Sequence, residues 1–120
     1  MANTERSPTE VFEDHLEKAR KGLIKADILQ NYSNDVRLFI AEGIYRGHDG
    51  VKELADRLKR ELPDAKFQYT VMQVDQDIAF LEWTADSKEK VVKDGADSFH
   101  IKEGKIVAQT IHYTLEDKLS

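Results

Sequence analysis

Hydrophobic and polar residues follow one period along the first half of the chain and another along the second. Val11, Phe12, His15, Leu16, Ala19 and Leu23 recur at helical spacing and define one buried stripe. Ser7-Pro8-Thr9-Glu10 stands just ahead of it, with the form of a capping box with proline at the first helical position. Ile28, Leu29 and Tyr32 predict one or two further helical turns. After the turn-type pair Asn34-Asp35, Val36, Leu38 and Ile40 alternate with Arg37, Phe39 and Ala41, which predicts a half-buried strand. Gly43 and Gly47 punctuate the next segment. A third helix is expected from Asp49 to Leu62, with Val51, Leu54, Ala55, Leu58 and Leu62 on one face and Pro63 as its stop.

From Lys66 onward the period is two. Strands are predicted from Lys66 to Val74, Ile78 to Asp86, Val91 to Ile101 and Lys105 to Thr114, with turns at Asp75-Gln76-Asp77, near Ser87–Lys90 and at Glu103-Gly104. Long strands joined locally predict an antiparallel meander with the helices gathered on one face. The expected fold class is α+β. The chain contains no linker, repeat or low-complexity segment, so a single domain over residues 1–120 is expected, with a flexible lead-in over 1–7.

Composition narrows the function classes. The 120 residues include no cysteine, which removes disulfides and thiolate chemistry. A formal net charge of −5 disfavours nucleic-acid binding, and no apolar run is long enough for a membrane span. A cytoplasmic location follows as an expectation. The four histidines, His15, His48, His100 and His112, match no ligand spacing, so no metal and no cofactor are expected.

Three framework segments carry a resemblance: Gly43–Val51 (GIYRGHDGV), Ile78–Thr84 (IAFLEWT) and Asp94–Ile106 (DGADSFHIKEGKI). Over residues 16–113 the chain resembles the nuclear transport factor 2-like superfamily, in its SnoaL-like and ketosteroid-isomerase-like branch. The resemblance implies a cone-shaped curved antiparallel sheet packed on N-terminal helices, an α+β roll with a pocket inside and a homodimer across the convex face. It does not imply one chemistry, since this fold hosts isomerases, dehydratases, cyclases and non-enzymes.

Alternation divides Ile78–Asp86 into two sets. Ala79, Leu81, Trp83 and Ala85 are wholly apolar, and composition alone would make them the core face. The resemblance instead implies that Ile78, Phe80, Glu82 and Thr84 face the cup. Leu81 and Trp83, with Ala108 and His112, would then lie on the convex dimer face. The same parity turns Asp97, Phe99 and Ile101 inward, with Val107, Gln109, Ile111 and Tyr113 from the last strand. A two-residue turn at Lys88-Glu89 would set Phe80 opposite Asp97, with Glu82 diagonal to it at about 7–8 Å. Two acids in an apolar cup repel each other and lose solvent, which raises at least one pKa.

Asp97, Glu82 and Glu42 are the candidate catalytic residues. The resemblance implies that Asp97 matches a protonated acid donating to a developing oxyanion; the structural alternative is a polar residue bonded to backbone amides near Asp94-Gly95. Glu82 is either a base or an acid satisfied by Gln109 or Tyr69. The family's general-base position is occupied by Ile40, with Glu42 two residues on, and its helix tyrosine corresponds to Leu16, next to His15. These departures weigh against ketosteroid isomerisation itself. Phe80, Phe99, Gln109, Ile111, Tyr113, Tyr69, Ile40 and Leu16 are expected to line the cup. The expected function is binding of a small, largely apolar molecule, with cofactor-independent acid–base chemistry of the isomerase, cyclase or lyase type. The alternative is a non-catalytic ligand-binding or interaction module acting as a homodimer.

Overall fold

A computed structural model describes residues 5–118. Helix α1 (Pro8–Arg20) begins with the expected capping box. The Ser7 hydroxyl accepts from the Glu10 amide at 3.1 Å, and the Glu10 carboxylate accepts from the Ser7 amide at 2.7 Å. Helix α2 (Ile24–Asn31) runs into strand β1 (Tyr32–Ile40), followed by β2 (Gly43–Arg46) and α3 (Gly47–Glu61). Strands β3 (Lys66–Asp75), β4 (Ile78–Asp86), β5 (Lys90–Lys102) and β6 (Lys105–His112) form the expected meander, and a short β7 (Glu116–Asp117) pairs with β5. Of the lead-in expected to be flexible, residues 1–4 lie outside the described residues, while Arg6 and Ser7 are tied down by hydrogen bonds.

The sheet order is β2-β1-β6-β5-β4-β3. One pairing departs from a purely antiparallel sheet, because β1 lies parallel to β6. Asn34-Asp35 was expected to precede the first strand. It lies within β1, where the register slips between Tyr32 and Arg37.

Three further register shifts bend the sheet. The β3–β4 ladder slips between Tyr69 and Val71, the β4–β5 ladder between Trp83 and Ala85, and the β5–β6 ladder between His100 and Ile101. Each extra residue adds local twist and bend, so shifts on successive strands curl the sheet around the helices.

The β4–β5 shift also corrects the predicted parity. Near the turn the pairs are Asp86–Val91 and Ala85–Val92, as a Lys88-Glu89 turn requires. Lys93 and Asp94 then face the single residue Thr84, and beyond them the register is Trp83–Gly95 and Leu81–Asp97. Asp97 therefore pairs with Leu81, not Phe80. Ala79, Leu81, Trp83 and Ala85 are all 5 % exposed or less and form the core face, while Phe80 and Glu82 lie on the outer face. A one-residue slip moves every side chain beyond it to the opposite face. The β5–β6 shift at Val107 likewise leaves Ile106 in the core, although alternation from Gln109 had placed it outside.

The core joins Val11, Phe12 and Leu16 of α1 to Val36, Leu38, Leu81, Trp83, Phe99, Ile101 and Ile106 of the sheet. Among the described residues no helix is long and apolar enough to cross a membrane.

Candidate functional site

A buried polar cluster lies between the first two helices and the concave face of the sheet. Asp97, on β5, is 8 % exposed. Its two carboxyl oxygens accept from neutral donors, Trp83 Nε1 at 2.9 Å and Gln109 Nε2 at 3.0 Å. Gln109 Oε1 in turn accepts from the Tyr32 hydroxyl at 2.6 Å, which fixes the orientation of the amide. Burial pushes the Asp97 carboxyl up to about 6. The Trp83 and Gln109 hydrogen bonds oppose that rise, as does the nearby His15. Burial, with the charges of Asp27 and Asp97, holds the Tyr32 hydroxyl well above its ordinary value, so it remains a donor.

His15 of α1 forms the second half of the cluster. Its Nδ1 lies 2.8 Å from Asp27 Oδ2, and Asp27 Oδ1 accepts from Asn31 Nδ2 at 2.8 Å. An ionised carboxylate can only accept, so this contact assigns the proton to Nδ1 and leaves Nε2 as the basic nitrogen. The ring is held edge-on to Tyr32 at 5.6 Å and tilted against Phe99 at 5.3 Å. His15 and Asp27 thus form an oriented acid–histidine pair on the same core face as Asp97.

The predicted site residues divide into those the structure brings together and those it does not. Asp97, Gln109, Phe99 and Leu16 are buried in the cup. Ile111 pairs with Asp97 across the ladder and is half-buried. The Tyr113 ring lies 5.6 Å from Trp83, and its hydroxyl donates to Glu61. The Tyr69 hydroxyl donates to the Leu16 carbonyl at 3.3 Å, with Arg20 over its ring. Ile40 is half-buried at the end of β1.

The two glutamates are not in the cup. Glu82 is exposed on the outer face, because β4 alternates without interruption and its apolar set Ala79, Leu81, Trp83 and Ala85 takes the core side; the Lys93–Asp94 shift is what lets Asp97 face inward without it. Glu42 lies in the turn after β1, 62 % exposed, with its carboxylate 3.3 Å from Arg57. Phe80 accompanies Glu82 outward, and Leu81 and Trp83, expected on the convex face, are core residues. His100 and His112 fall on the outer face, while His15 is buried in the cup.

Sequence reasoning missed Asp27, Asn31 and Tyr32. The signal was present: Ile24, Asp27, Ile28 and Asn31 follow the i, i+3, i+4, i+7 spacing of one helix face, so two polar side chains share the buried stripe of α2.

Rings occupy much of the interior. Phe12 packs on Phe99 at 5.3 Å, and Trp83 touches both Phe67 and Tyr113. Two hollows of about 490 and 570 Å³ lie elsewhere, at the β4–β5 turn, lined by charged residues including Lys66, Asp86, Lys88, Asp117 and Lys118. Among the described residues no group of three metal-binding side chains converges.

Solved structures share this architecture. A nuclear transport factor 2-like protein of unknown function from Cytophaga hutchinsonii superposes with a TM-score of 0.71 at 10% identity, over 94% of this chain and 95% of that one. A candidate polyketide cyclase from Sinorhizobium meliloti gives 0.71 at 14% identity, over 86% of this chain and 94% of that one. A candidate ketosteroid isomerase from Kribbella flavida gives 0.73 at 13% identity, over 89% and 77%. At such identities these likenesses establish the fold alone. No curated protein matches the chain. The family model of the SnoaL-like domain matches residues 12–109, from the first turns of α1 to Gln109 beside Asp97, and the chain belongs to that family.

Proposed function

We propose that this SnoaL-like domain carries out cofactor-independent acid–base chemistry on a small, largely apolar, carbonyl-bearing molecule. The observation that carries the reading is the Asp97 carboxyl, buried and held only by neutral donors, with a raised pKa, on the same face as the oriented His15–Asp27 pair. A carboxyl whose proton is favoured by burial and an imidazole oriented through its Nδ1 supply a proton donor and a proton acceptor.

In this reading His15 Nε2 removes a proton from the carbon beside the carbonyl, and Asp27 steadies the imidazolium through Nδ1–H. Protonated Asp97 donates to the carbonyl oxygen as negative charge develops there. Returning the proton to another carbon gives isomerisation, and attack of the enolate on an internal electrophile gives cyclisation. Half-buried Tyr69, Ile111 and Tyr113 edge the cup, where a ligand would enter. His15 replaces Glu82 and Glu42 as the base.

The test is solvent-deuterium exchange into small apolar ketones, enones and lactones, with His15→Ala and Asp97→Asn as controls. Exchange that both variants abolish supports the reading. Absence of exchange with every compound, together with unshifted cup amides, removes it.

A second reading, a non-catalytic homodimeric module, is favoured by the rings filling the interior. It would use the outer sheet face, where Phe39, Thr110, Ser98 and Phe80 form one cross-strand row and Arg37, Ala108, His100 and Ile78 the next. In the first row small Thr110 and Ser98 lie between Phe39 and Phe80, which suits close packing of a second copy. Sedimentation showing only monomer at every concentration would exclude this pairing.

A further inference from the structure

Arg6 reaches further into the molecule than a lead-in residue should. Its guanidinium donates from Nη1 to Asn31 Oδ1 at 2.8 Å, and from Nη2 to the carbonyls of Gln30 at 2.7 Å and Gly104 at 2.9 Å. One side chain thus ties the segment before α1 to the end of α2 and to the β5–β6 turn. Arginine suits this task, because its donors are fixed in a planar fork.

Asn31 is 0% exposed, and its orientation is dictated on every side. Its Nδ2 donates to two carboxylates, Asp27 at 2.8 Å and Asp14 at 2.9 Å. Turning the amide over would set an oxygen against both carboxylates, so Oδ1 must face outward and needs a donor. Arg6 supplies it. Asp14, also held by Lys18 at 2.7 Å, lies 3.8 Å from Arg6, which adds charge complementarity to the geometry.

The chain of contacts then runs inward: Arg6 to Asn31, Asn31 to Asp27, Asp27 to His15. We infer that Arg6 is a positioning residue for the His15 base. It holds the Asn31 amide so that Asp27 presents Oδ2, and not a freely rotating carboxylate, to His15 Nδ1. Outer partners of this kind fix ring orientation and tautomer. The inference rests on the reading of His15 as the base.

Lys105 provides an internal control. Its Nζ donates to the carbonyls of Leu29 and Gln30 at 3.2 and 3.0 Å, so it anchors the same end of α2, but it does not bond Asn31. The experiment follows exchange of the His15 Nδ1–H with water by nitrogen-edited NMR on the full chain, at one pH and temperature. It compares the native protein with Arg6→Met, the milder Arg6→Lys, and Lys105→Met.

The expected result is exchange accelerated about tenfold or more in Arg6→Met, with Lys105→Met within about twofold of native. Arg6→Lys keeps the charge but loses the fork, and is expected to exchange faster than native; it decides the matter alone if Arg6→Met does not fold. Equal acceleration in the Arg6 and Lys105 variants would reduce Arg6 to an anchor of α2 and overturn the inference, as would native exchange in the Arg6 variants. A native protein with no protected Nδ1–H would instead remove the His15–Asp27 bond, and with it the acid–base reading itself.

Discussion

Trp83 stands directly opposite Gly95 in the β4–β5 ladder, and its indole occupies the space that a side chain at Gly95 would need. A Cβ placed there would lie 2.3 Å from the ring. The glycine lets the indole lie close to the strand and deliver its Nε1–H to Asp97. The Gly95→Ala variant should therefore lose about 1–3 kcal/mol through overpacking. Urea unfolding would measure the loss, and an unchanged midpoint would show that the indole relocates without cost.

Removing the indole donor tests what holds the Asp97 charge. In Trp83→Phe the carboxylate loses a hydrogen bond that favours its ionised form, while burial continues to oppose ionisation. The Asp97 pKa should rise above its native value of about 6. Carbon-detected NMR of the side-chain carboxyl reads this directly; a fall would mean that Trp83 mainly excludes water.

Stability should respond to pH in a definite direction. The ordinary aspartate value is 3.8 and the folded value about 6, so between them the folded state holds a proton that the unfolded state has released. Unfolding free energy from this group thus falls as pH rises from about 4 to about 6, by about 3 kcal/mol in all. Asp97→Asn should flatten that part of the profile. An identical slope in the variant would assign the dependence to other groups.

Asn31 should be among the costlier polar residues to remove. Asn31→Ala leaves a small void and strips Asp27 Oδ1 of its donor in a buried setting, a loss of about 2–4 kcal/mol. Thermal or urea unfolding gives the figure. A loss well under 1 kcal/mol would indicate that water replaces the amide.

The outward placement of Glu82 has its own check. Glu82→Gln should change stability by less than about 0.5 kcal/mol and leave the Asp97 titration where it is. A shifted Asp97 titration would return Glu82 to the cup.

Much of the fold was legible because the elements announce themselves locally. The Ser7–Glu10 box, the stripe from Val11 to Leu16 and the terminator Pro63 are short-range signals, and each lies where the pattern predicts. Asp97 was legible because its alternation with Phe99 and Ile101 runs through unbroken strand. Glu82 and Phe80 were misplaced because the framework resemblance was given more weight than the plain apolarity of Ala79, Leu81, Trp83 and Ala85. In that strand, composition pointed to the true core face.

By itself the sequence determined the α+β class, the helices and the locally connected strands, because periodicity and capping act within a few residues. Tertiary structure alone decided which polar side chains meet in the buried cluster. An extra residue at Lys93–Asp94 costs the sequence pattern almost nothing, yet it shifts the β4–β5 ladder by one and turns Asp97 to the core face beside Leu81, while Glu82 stays outside on the unbroken alternation of β4. The His15–Asp27–Asn31–Arg6 chain joins the lead-in, α1 and α2, and only their packing brings these groups within hydrogen-bond reach.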